Sequence, residues 1–317
     1  MTLDPRAKRF LDMMAASGPG DASRLSTAER REAFRSLMKF AGPAGPIGAV
    51  KDCVISQGPP PVRIRIYTPV DPADDPLPGL LFLHGGGWIA GGLDTHDVLC
   101  RALTNAAGCR TVAVDYPLAP EYPFPAAVSC AISAATWLFS NAEELGIDAQ
   151  RIGIAGDSAG GTLAAAVCQA LRPLGHRPVA QVLLCPIMDC YPATESRRSL
   201  DGYLLDNATM DRDLAQYVPA GVDRSDPRLS PLRAADLAGL PPTLIHTAEF
   251  DPLRDEGKAF ATRLAEAGVK VQYTCHAGMI HLFYGLGAVI PYATKAVRLI
   301  GAEIRATLGR ELESSNG

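Results

Sequence analysis

No run of about 18 consecutive apolar residues occurs in this chain, so no membrane-spanning helix is expected. The opening Met1-Thr2-Leu3-Asp4-Pro5-Arg6-Ala7-Lys8-Arg9-Phe10 is polar and lacks an apolar signal core, which points to the cytoplasm. No basic stripe is present, and the formal net charge is −4, so nucleic acid is not an expected partner. The eight cysteines are scattered without Cys-x-x-Cys spacing. That excludes a zinc cluster or a disulfide framework and leaves small buried thiols, with no metal and no cofactor expected. Internal repeats and low-complexity tracts are also missing. What remains is a composition of 47% apolar and 20% charged residues over 317 positions, ordinary for a globular protein with one large core or two smaller ones.

The apolar runs have two textures. Val62-Arg63-Ile64-Arg65-Ile66-Tyr67 alternates, as an antiparallel edge strand would. A Pro/Asp-rich loop at 69–78 follows. Residues 79–83, 111–114, 152–155, 179–184 and 243–247 are instead continuously apolar, as strands buried on both faces are. Helical stretches at 94–107, 126–145, 160–172 and 255–267 separate them, and a last strand reads at 270–274. Alternating strands and helices define an α/β fold with a mainly parallel central sheet. Residues 1–40 read as helical, with Ser26-Thr27-Ala28-Glu29 as a capping box. Residues 190–239 interrupt the alternation and are polar and turn-rich. The division that follows is a helical cap from 1–45 and 190–239, over a core from 46–189 and 240–317.

Chemistry enters with Gly156-Asp157-Ser158-Ala159-Gly160-Gly161, between an apolar strand and a helical run. Gly-x-Ser-x-Gly in a strand–turn–helix context is the nucleophile elbow of a serine hydrolase. Chance alone supplies the pattern in roughly one such chain in eight, so the context carries the weight. His84-Gly85-Gly86-Gly87-Trp88 follows another buried strand, and successive glycine amides can converge on a developing oxyanion. A serine needs a positioned base. Of the six histidines, His84 belongs to the glycine loop, His96 opens a helix and could cap it, His176 lies in a polar turn and His246 in a core strand. His276 and His281 remain, in a loop after the last strand. His281 is favoured because Gly278-Met279-Ile280 can turn it back toward Ser158. The acid that orients it is sought after strand 243–247, where Asp251 leads and Glu249 and Asp255 are fallbacks.

Together these motifs resemble the hormone-sensitive-lipase-like family of α/β-hydrolases, which includes many bacterial carboxylesterases. The likeness covers about residues 60 to 305 and includes Asp115-Tyr116-Pro117-Leu118-Ala119-Pro120-Glu121 and Asp251-Pro252-Leu253-Arg254-Asp255. The resemblance implies an α/β-hydrolase with Ser158 as nucleophile, Asp251 as acid and His281 as base. It also implies an oxyanion hole from the N–H groups of Gly85, Gly86 and Ala159. A helical cap and a homodimer formed through an edge strand are implied as well. Two positions depart from the family pattern. Pro117 stands where arginine is usual, so an ion pair bracing that loop is expected to be missing. Leu282 stands where glycine usually follows the histidine, and can crowd the base or line the pocket.

The expected reaction is hydrolysis of a small-molecule ester with a short-to-medium acyl or aryl group, through an acyl-enzyme. Phe34, Leu37, Met38, Trp88 and Leu282 are the expected pocket residues. An amidase or deacetylase on the same triad is the alternative within enzymes. A non-catalytic small-ligand receptor is the alternative outside them, and the complete Ser-His-Asp set argues against it.

Overall fold

The computed structural model describes residues 2–17, 24–56, 61–72, 76–191 and 194–309. Residues 73–75 of the expected Pro/Asp-rich loop, and 310–317 at the end of the second core segment, lie outside these. Eight strands form one sheet: β1 (Ala49–Ile55), β2 (Val62–Thr68), β3 (Leu77–Leu83), β4 (Arg110–Asp115), β5 (Ile147–Asp157), β6 (Ala180–Leu184), β7 (Thr243–Phe250) and β8 (Val271–Ile280). Their order is β1-β2-β4-β3-β5-β6-β7-β8. β2 runs antiparallel to β1 and β4, and every other pair is parallel.

The side-chain period of two sorts the central strands between two cores. Leu81, Leu83, Val112, Val114, Ile152 and Ile154 point to one face, covered by α4 (Ala126–Ser140), α5 (Ala159–Leu171) and α8 (Arg254–Glu266). Leu80, Phe82, Ala113, Ala155, Val182 and Leu184 point to the other, covered by α3 (Asp97–Ala107) and α9 (Tyr292–Leu308). Two-sided burial is why these strands read as unbroken apolar runs.

Three expectations need correction. β2 is not an edge: β1 pairs with it from Ala49↔Thr68 to Ile55↔Val62. β1 is exposed along most of its length, with Ile55 alone buried, so it shows no apolar pattern. β3 starts at Leu77, before the strand expected from Gly79. Pro78 lacks an N–H for the ladder, and the register shifts between Leu77 and Gly79 there. β8 does not end at Thr274; it runs through His276 and Gly278 to Ile280, by a register shift opposite Ala248–Phe250. The segment expected to be a loop is strand up to the residue before His281. α9 has no counterpart among the sequence expectations.

α1 (Pro5–Ser17) and α2 (Thr27–Met38) precede the sheet. The capping box opens α2 as expected: Ser26 Oγ accepts the Glu29 N–H at 3.3 Å, and Glu29 accepts the Ser26 N–H at 2.8 Å. Residues 190–239 carry α6 (Glu195–Ser199) and α7 (Asn207–Tyr217). Among the described residues no helix is long and apolar enough to cross a membrane.

Candidate active site

Ser158 stands between the end of β5 and the start of α5 with φ +52° and ψ −120°. A non-glycine residue in that region is strained by roughly 1–3 kcal/mol, and the packing around it must hold it there. Its neighbours explain why glycine is needed. A Cβ on Gly156 would lie 2.9 Å from the Gly161 nitrogen and closer still to the Gly160 carbonyl. A Cβ on Gly160 would lie 2.6 Å from the His84 carbonyl oxygen. The elbow therefore presses against the glycine loop after β3, and no side chain fits between them.

His281, one residue past β8, places Nε2 3.1 Å from Ser158 Oγ. Its Nδ1 is 2.8 Å from Asp251 Oδ2, after β7. A carboxylate only accepts, so Nδ1 carries the proton and Nε2 is free to accept from the serine hydroxyl. Asp251 Oδ1 is fixed in turn by the Leu253 N–H at 2.9 Å. Ser158, His281 and Asp251 are 6%, 3% and 0% exposed, so water competes little for these bonds.

The rejected candidates have other partners. His276 Nε2 meets His246 Nδ1 at 3.1 Å, and its Nδ1 meets the Tyr292 hydroxyl at 3.1 Å. Burial, then His246, pushes it down to about 4. Glu249 accepts the Gly278 N–H at 2.7 Å, and Asp255 accepts the Ser196 N–H at 2.8 Å. His84 does brace the glycine loop, with Nδ1 2.8 Å from the Gly85 carbonyl and its ring stacked 4.1 Å from Tyr116. His96 makes no side-chain cap on α3. Its Nε2 instead lies 3.4 Å from Asp157 Oδ1.

Asp157 changes the reading of the glycine loop. Burial pushes its carboxyl up, but the facing His96 and His84 rings and the Gly85 N–H outweigh burial and hold it below its ordinary value. The Gly85 N–H donates to Asp157 Oδ1 at 2.8 Å. An amide with one hydrogen, already committed, cannot serve an oxyanion, so Gly85 leaves the expected set. Gly86 (φ +120°) and Gly87 (φ +65°) line the cavity beside Ser158. Gly87 was not among the expected donors. Nothing in His-Gly-Gly-Gly says which amide is taken; the clue lay 72 residues on, in the acid before the serine.

The cavity over Ser158 and His281 holds about 210 Å³. Phe34, Leu37, Trp88 and Leu282 lie on its wall, as expected. Met38 does not. One position past Leu37 turns it about 100° around α2, and it faces Gly285 and a separate groove. Ile187, Arg30, Arg197, Leu205, Met210 and Asp213 are wall residues that were not anticipated. Trp88 stacks on Tyr217 of α7 at 4.6 Å. Leu282 adopts φ +58°, the left-handed region where glycine is unstrained.

The loop bearing Pro117 does not lack a brace. Arg31 of α2 donates to the Ala119 carbonyl at 3.1 Å and the Ile89 carbonyl at 2.9 Å. It also pairs with Glu121 at 2.6 Å. The guanidinium comes from a helix outside the loop.

A family described as alpha/beta hydrolase fold matches residues 80–285. The chain is 38% identical to an arylesterase of Saccharolobus solfataricus over 287 residues, 90% of this chain and 93% of the other. It is 37% identical to an ethyl acetate hydrolase of Pseudomonas putida, over 95% of this chain and 98% of that one. A solved ester hydrolase from the metagenome of Lake Arreo, complexed with a bipyridine phosphonate derivative, superposes with a TM-score of 0.94 at 39% identity, covering 98% of this chain and all of that one. The chain belongs to the α/β-hydrolase family, in its hormone-sensitive-lipase-like branch.

Proposed function

We propose that Ser158, His281 and Asp251 are the nucleophile, base and acid by which this chain, a carboxylic ester hydrolase, cleaves esters of short-to-medium acyl or aryl groups. The observation that carries the proposal is the buried His281 ring, 3.1 Å from the serine oxygen on one side and 2.8 Å from the carboxylate on the other. His281 takes the Ser158 proton as Oγ adds to the ester carbonyl. The oxyanion is met by the N–H groups of Gly86, Gly87 and Ala159, none of which has a partner among the described residues. Collapse expels the alcohol, protonated by His281. Water then adds to the acyl-enzyme with His281 again as base, and the acid departs.

In this reading the described parts of residues 1–45 and 190–239 form the cap over the site. The small, mainly apolar cavity supports the substrate class, since it suits a modest acyl or aryl arm better than a long chain. The free cysteines agree with a cytoplasmic setting. β8 is a terminal strand of the sheet, and pairing of two copies through such an edge is tested by sedimentation. Turnover of 4-nitrophenyl butanoate by Ser158→Ala tests the chemistry. The expected loss in kcat is at least about 10⁴-fold with the fold retained, and retention of a tenth or more of the activity overturns the assignment.

A further inference from the structure

Asp157, the residue before Ser158, is 0% exposed and keeps its charge. A buried carboxylate needs a counter-charge as well as donors. Its donors are few. The Gly85 N–H reaches Oδ1 at 2.8 Å, and the Tyr284 hydroxyl is 3.4 Å from Oδ2. Burial pushes the nearby Cys100 thiol and the Tyr116 and Tyr284 hydroxyls up, so all three are neutral. Burial, then His96, pushes His84 down to about 3, so that ring is neutral too. His96 is left as the counter-charge, with Nε2 3.4 Å from Asp157 Oδ1. It is 1% exposed, and the rings of Phe34 and Phe82 pack against it at 6.0 and 6.1 Å.

Hydrogen bonds count the protons on His96. Thr95 Oγ1 is 2.9 Å from the Gly92 carbonyl and 2.9 Å from His96 Nδ1. The hydroxyl has one hydrogen and a carbonyl only accepts, so Thr95 donates to Gly92 and Nδ1–H donates to Thr95. Nε2 then faces a carboxylate, and without a proton of its own two lone pairs would oppose each other in a dry interior. The position of the pair gives it a bearing on the reaction. A Cβ on Gly85 would lie 2.6 Å from Asp157 Oδ2 and 3.1 Å from Ser158 Cβ. The carboxylate thus sits beside the place where the ester oxygen turns negative, and an unmatched negative charge there would oppose the transition state. We propose, resting on the esterase reading above, that His96 is a positioning residue that acts as an imidazolium. It balances Asp157, which holds the Gly85 N–H and leaves the Gly86 and Gly87 amides to an oxyanion with no net negative charge behind them.

Two measurements test this. In the wild type with isotope-labelled histidine, at about pH 7.5, both ring nitrogens of His96 should give the NMR shifts of a protonated imidazolium. In kinetics on 4-nitrophenyl butanoate, His96→Gln replaces the charged donor by a neutral one. Its kcat should fall about 10²-fold with KM within about threefold of wild type. Adding Asp157→Asn keeps an oxygen for the Gly85 N–H and removes the unmatched charge. The double variant should exceed His96→Gln in kcat by at least about tenfold. A purely structural role gives the reverse, because a second buried substitution adds damage. A neutral His96 ring in the wild type overturns the proposal. So does a double variant no better than the single one, or a His96→Gln kcat within about threefold of wild type. If His96→Gln does not fold, the wild-type spectrum decides alone. Failure of the esterase reading looks different: the wild type would not turn over the ester, or Ser158→Ala would.

Discussion

The floor and the roof of the cavity are built by different means. The floor groups sit at the ends of β3, β5, β7 and β8, and backbone geometry places them. Ser158 is held at φ +52°, and Gly86 at φ +120°. The roof, from α2, α6 and α7, is tied down by long side chains reaching other elements. Arg30 meets Asp213 at 3.0 Å, Arg31 meets Glu121 at 2.6 Å and Arg197 approaches Glu256 at 3.4 Å. The difference follows from tolerance. Acyl transfer needs its groups placed within a fraction of an ångström, which a hydrogen-bonded sheet supplies. A substrate arm needs only a shaped wall, and flexible side chains can provide that.

The most direct way to break this contrast is at the floor. Asp251→Asn keeps shape but cannot hold the His281 Nδ1 proton as a carboxylate does. We expect kcat to fall about 10⁴-fold, with KM and the melting temperature nearly unchanged. A drop below tenfold, by steady-state kinetics on a 4-nitrophenyl ester, would mean that the floor does not work through this acid. Gly87→Ala probes where floor meets roof. Its φ is +65°, and a Cβ there would lie 2.5 Å from Asp213 Oδ2 of α7. The displaced amide should cost about 10²–10³-fold in kcat, the usual loss for one oxyanion donor. An effect confined to KM would assign Gly87 to the roof instead.

The same contrast explains what could be read before the structure. The elbow was legible because its serine and glycines are adjacent, and the central strands because both faces are buried. Asp251 and His281 were legible once strand order was in hand. β1 was not, since a strand exposed on both faces leaves no apolar period. Nor was the end of β8, because Gly278 reads as a break while a register shift carries the strand through it. The free amide pair, Gly86 and Gly87, turned on Gly85 bonding an acid 72 positions away. The roof was least legible. Arg30 and Asp213 are 183 residues apart, and no spacing rule pairs them. Arg31 supplies from α2 the brace that Pro117 removes from the local motif.

Glu256 sharpens the roof side. Burial raises its carboxyl from an ordinary 4.5 to about 7. Between those values the unfolded chain releases the proton while the folded chain keeps it, so stability falls as pH rises. The loss should total about 3 kcal/mol by pH 7.5. Glu256→Gln stays neutral throughout, so this part of the slope should vanish from urea unfolding measured between about pH 5 and 7.5. Equal slopes in the two proteins would show that the buried Glu256 carboxyl does not carry this cost.

The smallest effect is expected at Leu282, which belongs to both regions. Its backbone follows His281 and its side chain lines the cavity. Its φ of +58° costs a side chain about 1–2 kcal/mol that glycine would not pay. The buried isobutyl group returns about 2 kcal/mol through burial, and glycine also adds entropy to the unfolded chain. Leu282→Gly should therefore destabilise by only about 1 kcal/mol. Removing the side chain widens the cavity beside His281. The ratio of kcat/KM for octanoate over butanoate esters should rise, by less than about tenfold, with kcat on butanoate nearly unchanged. If kcat on butanoate instead falls with the ratio flat, Leu282 acts on the position of His281, and the boundary between floor and roof moves one residue outward.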